Sequence, residues 1–303
     1  MKNTHSFFSW QGNNLDWPPY TKWIVFSIII LLFICLYIFR NKIRSNKEGK
    51  IFKNKIIFYR FVGSVGLIYM IIKLIIYIVG DYPLYWENLQ LHICRIHFII
   101  MMIFLIIGKP RLIMYTTFIS SVGAIGAIYF GDMSQEHLTN SPLKKIIFDN
   151  NNIKFYNVGA DNFFFYDFFI FHIMLIMIPV FMWTKYEWRM STVNKYRTII
   201  IYIAGILLMW TFNIISKSFS DEWKANNWYI GPDEHNDYSN VLGWLSGWPQ
   251  NLFSYILLGV FFIFILNFIY VLLLKNRSEV WNKNINDYKG MHKRIFNFKD
   301  NGY

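Results

Sequence analysis

Seven long apolar runs set the terms for this chain. They cover residues 23–39, 56–79, 89–107, 112–130, 163–183, 198–215 and 252–274. Each reaches or approaches the roughly 20 residues that a bilayer's hydrocarbon core demands of a helix. In lipid a backbone must satisfy its own N–H and C=O groups, and an α-helix is the open-chain structure that does so. The runs therefore predict an all-α, polytopic membrane helix bundle of seven transmembrane helices, forming a single domain over residues 1–303. Composition agrees: the chain is 55% hydrophobic and 20% aromatic, with a mean hydropathy of +0.30. Its charged residues, 16% of the total, sit in blocks between the runs, unlike the interleaved charge of a soluble domain. The first run has no small-residue cleavage site after it and reads as a retained helix, not a signal peptide.

The blocks predict an orientation. Lys and Arg number seven in 40–55, two at Lys109 and Arg111, four in 184–197 and seven in the tail 275–303. The intervening connections are neutral or acidic: 80–88 has no Lys or Arg, 131–162 has three against four acids, and 216–251 has two against five. This alternation never fails. Basic connections stay in the cytoplasm, which puts the N-terminus outside and the C-terminus inside a multi-pass protein of the cell membrane. The net charge of +12 belongs to the same blocks, at the ends of apolar runs, so it argues against a nucleic-acid partner.

A polar group in hydrocarbon is costly and needs a reason. Arg60 and Lys73 lie near opposite ends of the second run and can extend their charges to the nearer interface. The third run is different. It opens Glu87-Asn88-Leu89-Gln90-Leu91-His92-Ile93-Cys94-Arg95-Ile96-His97. As a helix from residue 89, it would place Gln90, Cys94 and His97 on one face and His92 and Arg95 on a second. The fifth run carries Asp167 and, deeper, His172. An Arg95–Asp167 ion pair accounts for both charges. Asn213, Gln250 and Asn251 complete a polar set in the outer half; packing or capping is the plainer reading of each.

A cysteine beside a histidine is the minimum for a thiolate nucleophile. His97 is one helical turn from Cys94, and His172 would come from across the bundle. Cys35 reads as a small core residue. The two cysteines fall near opposite membrane faces, so both are expected as free thiols. His92 and His97 are five apart and diverge on a helix, so no metal site is expected. With no phosphate loop, nucleotide fingerprint or serine elbow, no cofactor is expected either. The acidic stretch Asp233-Glu234-His235-Asn236-Asp237 reads as a solvated loop. Trp223, Trp228, Tyr229, Trp244 and Trp248 suit a headgroup-level aromatic belt, and Pro249 suits the first turn of a helix.

These residues carry a resemblance. Leu89-Gln90-Leu91-His92-Ile93-Cys94 resembles the Leu-Pro-Leu-His-Leu-Cys signature of YwaF-like bacterial integral membrane proteins. Asn227-Trp228-Tyr229-Ile230-Gly231-Pro232, followed by Leu242-Gly243-Trp244 and Gly247-Trp248-Pro249, resembles the loop before that family's last helix. Phe163 to Pro179, with His172 inside it, resembles its fifth helix. The likeness covers most of the chain from Trp23 to Leu274. That family is similar to human transmembrane protein 164, described as an acyltransferase acting on phospholipids. The resemblance implies Cys94 as acyl-accepting nucleophile, His172 as candidate base and membrane phospholipid as partner. His97 stands as the second imidazole. His92, Arg95, Asp167, Asn213, Asn227 and Asn251 form the candidate substrate-binding set. This sequence departs from the family at Gln90, where the family has proline, at Lys22-Trp23, where it often has histidine, and at Arg95, which replaces acids.

Two functions from different classes follow. The first is a phospholipid acyltransferase or transacylase with a cysteine nucleophile in the outer leaflet. The alternative is a non-enzymatic transporter, lipid-binding protein or assembly subunit; the lack of an inverted repeat or paired broken helices weakens the transporter form. Both leave the oligomeric state open.

Overall fold

The computed structural model describes residues 7–8, 18, 20–45, 55–80, 88–130, 159–186, 192–219, 228, 230 and 243–272. Within them lie seven α-helices and no strand: α1 (Thr21–Ser45), α2 (Lys55–Val79), α3 (Ile93–Ile106), α4 (Met114–Phe130), α5 (Phe163–Tyr186), α6 (Thr192–Ser216) and α7 (Gln250–Leu272). A 3₁₀ turn over Pro110–Ile113 leads into α4, and another over Gly243–Ser246 precedes α7. All seven predicted helices are present, and six are long and apolar enough to cross a membrane. The exception is α3. Its 14 residues span about 21 Å, well short of a hydrocarbon core of about 30 Å.

The reason is local. The predicted start at residue 89 is overruled because Gln90 adopts the left-handed conformation, φ 54°. That conformation costs an L-residue about 1–2 kcal/mol and cannot propagate as a helix. His92 follows as N-cap, with φ −58° and ψ 142° and no side-chain cap bond. Gln90 therefore does not share a helical face with Cys94 and His97. Those two remain on one buried flank of α3. At the far end Gly108 takes φ 74°. Gly108 N–H then bonds Leu105 O at 3.0 Å, and Lys109 N–H bonds Phe104 O at 2.9 Å. This paired C-cap satisfies the last carbonyls and favours glycine at the turning residue.

Contacts at the helix ends show that successive helices alternate in direction. At one end Lys185 Nζ donates to Ile43 O at 2.5 Å, Tyr186 OH to Tyr59 OH at 2.7 Å and Arg60 Nε to Ile106 O at 3.2 Å. There, too, Tyr115 OH donates to Asn194 Oδ1 at 3.0 Å, and Arg111 lies 5.6 Å from the Tyr186 ring centre. At the other end, called upper below, Tyr77 packs on Phe164 with ring centres 5.3 Å apart. Also at the upper end, Phe163 N–H bonds Phe7 O at 2.8 Å.

Two apolar cores fill the bundle. One joins α1, α2, α3, α4 and α5 around Phe98, Met101, Met102, Leu105, Phe171 and Leu175; the other joins α4, α6 and α7 around Ile119, Ile206 and Ile263, with Trp228 and Ile230 inserted from the connecting segment. Close approach of α2 to α3 depends on small residues. A Cβ at Gly63 would fall 2.7 Å from Met102 O, and one at Gly66 would collide with the Met102 thioether. Apolar side chains also cover the outside, among them Leu31 at 61% and Leu257 at 70% exposure, as lipid permits. Cys35 is on this outer surface, not in the core as expected. In a bilayer an apolar run faces lipid as readily as protein, so apolarity does not imply burial.

Candidate functional site

Tyr69, Lys73 and Tyr77 recur every fourth residue and form one stripe on α2. Lys73 is buried, and its Nζ lies 2.5 Å from Asp167 Oδ2 on α5. Tyr69 OH donates to the other carboxylate oxygen. The ammonium also sits 4.7 Å from the Phe171 ring centre and 5.8 Å from that of Tyr77. Asp167 thus pairs with Lys73, not with Arg95, and Lys73 turns inward instead of reaching the interface. Depth explains the choice. Lys73 is six residues from the end of α2 and Asp167 four from the start of α5, so both lie about 6–9 Å below the upper end at 1.5 Å per residue. Arg95 instead donates to Tyr77 OH at 2.6 Å and covers that ring at 5.0 Å.

Cys94 is in the first turn of α3, 3% exposed. Gly123 of α4 faces it: a Cβ there would stand 3.9 Å from Sγ. Tyr77 lies beneath both the Lys73 ammonium and the Arg95 guanidinium, so the Lys73–Asp167 pair of α2 and α5 adjoins the first turn of α3, which carries Cys94; His172 stands five residues beyond Asp167 on α5.

Both candidate base imidazoles are buried, and both are held by their own helix. His97 Nδ1 is 2.7 Å from Ile93 O, and His172 Nδ1 is 2.6 Å from Phe168 O. A carbonyl can only accept, so Nδ1 carries the hydrogen in each ring and Nε2 carries the lone pair. The His97 ring lies 5.9 Å from the indole of Trp228.

The other expected residues divide. Asn213, near the end of α6, and Asn251, in the first turn of α7, are fully buried. Asn227 lies outside the described residues, as do Trp223, Tyr229 and the acidic stretch 233–237. Trp244 and Trp248 are exposed, as a headgroup belt requires, but Trp228 is buried at 6% exposure and belongs to the core. Sequence reasoning missed the roles of Tyr69 and Tyr77, although their four-residue spacing about Lys73 was the available signal. No sequence signal pointed Trp228 inward. Among the described residues no group of three or more His, Cys, Asp or Glu is placed to hold a metal ion.

Fold and site together define a polytopic membrane protein that buries a thiol, imidazoles and a paired charge near one end of its bundle. Residues 7–267 match the TMEM164 family, and the chain belongs to that family. Among curated proteins and solved structures, none matches the chain.

Proposed function

We propose that this protein is a phospholipid acyltransferase or transacylase, with Cys94 as nucleophile. The observation that carries this reading is the placement of a buried thiol and a buried, Nε2-basic imidazole one turn apart on the same flank of α3. The family membership and the resemblance to YwaF-like proteins point the same way. The Lys and Arg distribution assigns the upper end to the outer leaflet of the cell membrane. Cys94 stands in the first turn of α3, toward that upper end, the side from which the ester of an outer-leaflet glycerolipid would approach.

In the proposed reaction His97 Nε2 accepts the thiol proton as sulfur attacks the ester carbonyl carbon. Collapse of the tetrahedral intermediate breaks the carbon–oxygen bond to glycerol. The imidazolium returns its proton to that oxygen, releasing a lysolipid and leaving an acyl thioester on Cys94. An acceptor hydroxyl then attacks the thioester by the reverse sequence, which regenerates the thiol. Asn213 and Asn251 are the candidate oxyanion donors. Arg95 and His92 are suited to a phosphate group, and His172 to a second proton-transfer role. Asp167, engaged by Lys73 and Tyr69, holds α2 to α5 and is withdrawn from substrate contact.

The test is the acyl composition of phospholipids in cells expressing the wild type, Cys94→Ala or Cys94→Ser. Remodelling with the wild type alone supports the proposal; an identical profile with Cys94→Ala refutes it. A non-catalytic lipid-binding role is the second reading, favoured by the mutually satisfied Lys73–Asp167–Tyr69 group, which could serve helix packing alone. Under that reading Cys94 reacts with acyl probes no faster than an ordinary buried thiol.

A further inference from the structure

Cys94 follows a stretch of backbone that is held in part from outside its own helix. The approach to α3 contains a left-handed residue, Gln90, and an N-cap, His92, that makes no side-chain cap bond. Leu91 lies between them. Its carbonyl is taken from outside the helix by the indole of Trp228, whose Nε1 donates at 3.0 Å. Trp228 itself adopts φ 59°, a conformation rare for a bulky residue and sustained only where the surroundings over-determine it.

Those surroundings form a continuous stack. The indole lies parallel to the Tyr202 ring of α6, 14° between planes and 6.5 Å between centres. It also lies against Gly205, where a Cβ would come within 2.9 Å of Cη2. Tyr202 OH donates to Tyr255 O of α7 at 2.7 Å, and the tyrosine ring occupies the space left open at Gly259. The other face of the path reaches His97 at 5.9 Å. One side chain thus joins the α6–α7 half of the bundle to both ends of the first α3 turn, Leu91 before it and His97 after it. Cys94 lies between those two points.

We infer that Trp228 is a positioning residue: it clamps the first turn of α3, and so sets the placement of Cys94 against His97. Its role in acyl transfer rests on the function proposed above; its role as a clamp does not. The hydrogen bond and the ring act separately, which makes them separable by mutation. Trp228→Phe keeps an aromatic ring in the slot and removes the donor. Gly205→Ala pushes the indole from the opposite side and leaves Trp228 unchanged.

The experiment uses the full chain in nanodiscs with Cys35→Ser, which leaves Cys94 as the one thiol. The probe is N-ethylmaleimide and the readout is the labelling rate by intact mass. A second reporter carries Leu175→Cys with both native cysteines removed; Leu175 is fully buried on α5. The expected result is that Trp228→Phe and Gly205→Ala each raise Cys94 labelling about fivefold, the factor one hydrogen bond is worth, while Leu175→Cys stays protected. In an acyl-transfer assay kcat falls by a similar factor with KM unchanged. Unchanged Cys94 labelling in both variants overturns the inference, as does an equal rise at Leu175→Cys, which marks general loosening. Selective labelling in a protein whose wild type transfers no acyl group refutes the proposed function and leaves the clamp standing.

Discussion

The Lys73–Asp167 pair offers the sharpest test of how this bundle is held together. Its side chains are 4% and 5% exposed, so removing one partner strands the other in a medium without water. Breaking a buried pair this way costs about 3–5 kcal/mol, whereas replacing both members with apolar residues of similar volume is often neutral. The two single variants should differ in degree. Asp167→Leu leaves an ammonium between the Phe171 and Tyr77 rings, contacts worth up to about 2 kcal/mol. Lys73→Met leaves a carboxylate with the Tyr69 hydroxyl. Asp167→Leu also strips the Tyr69 hydroxyl of its acceptor, a hydrogen bond to a charged group worth about 1.5–3 kcal/mol, so it is the larger loss, and the double variant should recover all but that bond. The interaction energy from the double-mutant cycle should exceed about 3 kcal/mol. An ordinary interhelical hydrogen bond in a membrane bundle averages about 0.6 kcal/mol, so the two cases are well separated. The assay is reversible unfolding of the purified protein in mixed SDS micelles, followed by circular dichroism. Single-variant losses that add within about 0.5 kcal/mol would refute the reasoning and reduce the pair to a crowded but uncoupled contact.

The remaining predictions use the same unfolding assay. Gly63→Ala should destabilise by about 1–3 kcal/mol, because its new Cβ meets the Met102 carbonyl, which cannot move without shifting α3. Gly66→Ala should cost less, since the Met102 thioether can adopt another rotamer. Equal losses at the two glycines would contradict the backbone argument. Tyr77→Phe removes the hydroxyl that accepts from Arg95 but keeps the ring beneath it, so a loss of about 1 kcal/mol is expected. Arg60→Gln should stay within about 0.5 kcal/mol of wild type, because Arg60 is exposed and its partner, Ile106 O, is the carbonyl of a helix end.

Much of this molecule was legible before any coordinates. Apolar run length decides whether a helix can satisfy its backbone across lipid, and that is a one-dimensional property. The number of helices, their rough limits and their alternating directions could be read from it. The content of the site was partly legible as well, since Cys94, His97, Asp167 and His172 are polar residues in apolar runs and stand out by cost alone. The partnerships were not. Lys73 and Asp167 are both visible as charges, yet their pairing depends on how deep each sits and which way α2 and α5 face, and sequence spacing within one helix carries no such information. Gln90 likewise occupies a helical position by pattern, and its left-handed backbone is set by the chain's turn into α3. The same distinction separates Cys35 from Cys94. Both lie in apolar runs, and lipid and protein interior are equally apolar solvents, so only the packing of helix against helix decided which thiol faces the bilayer and which is enclosed.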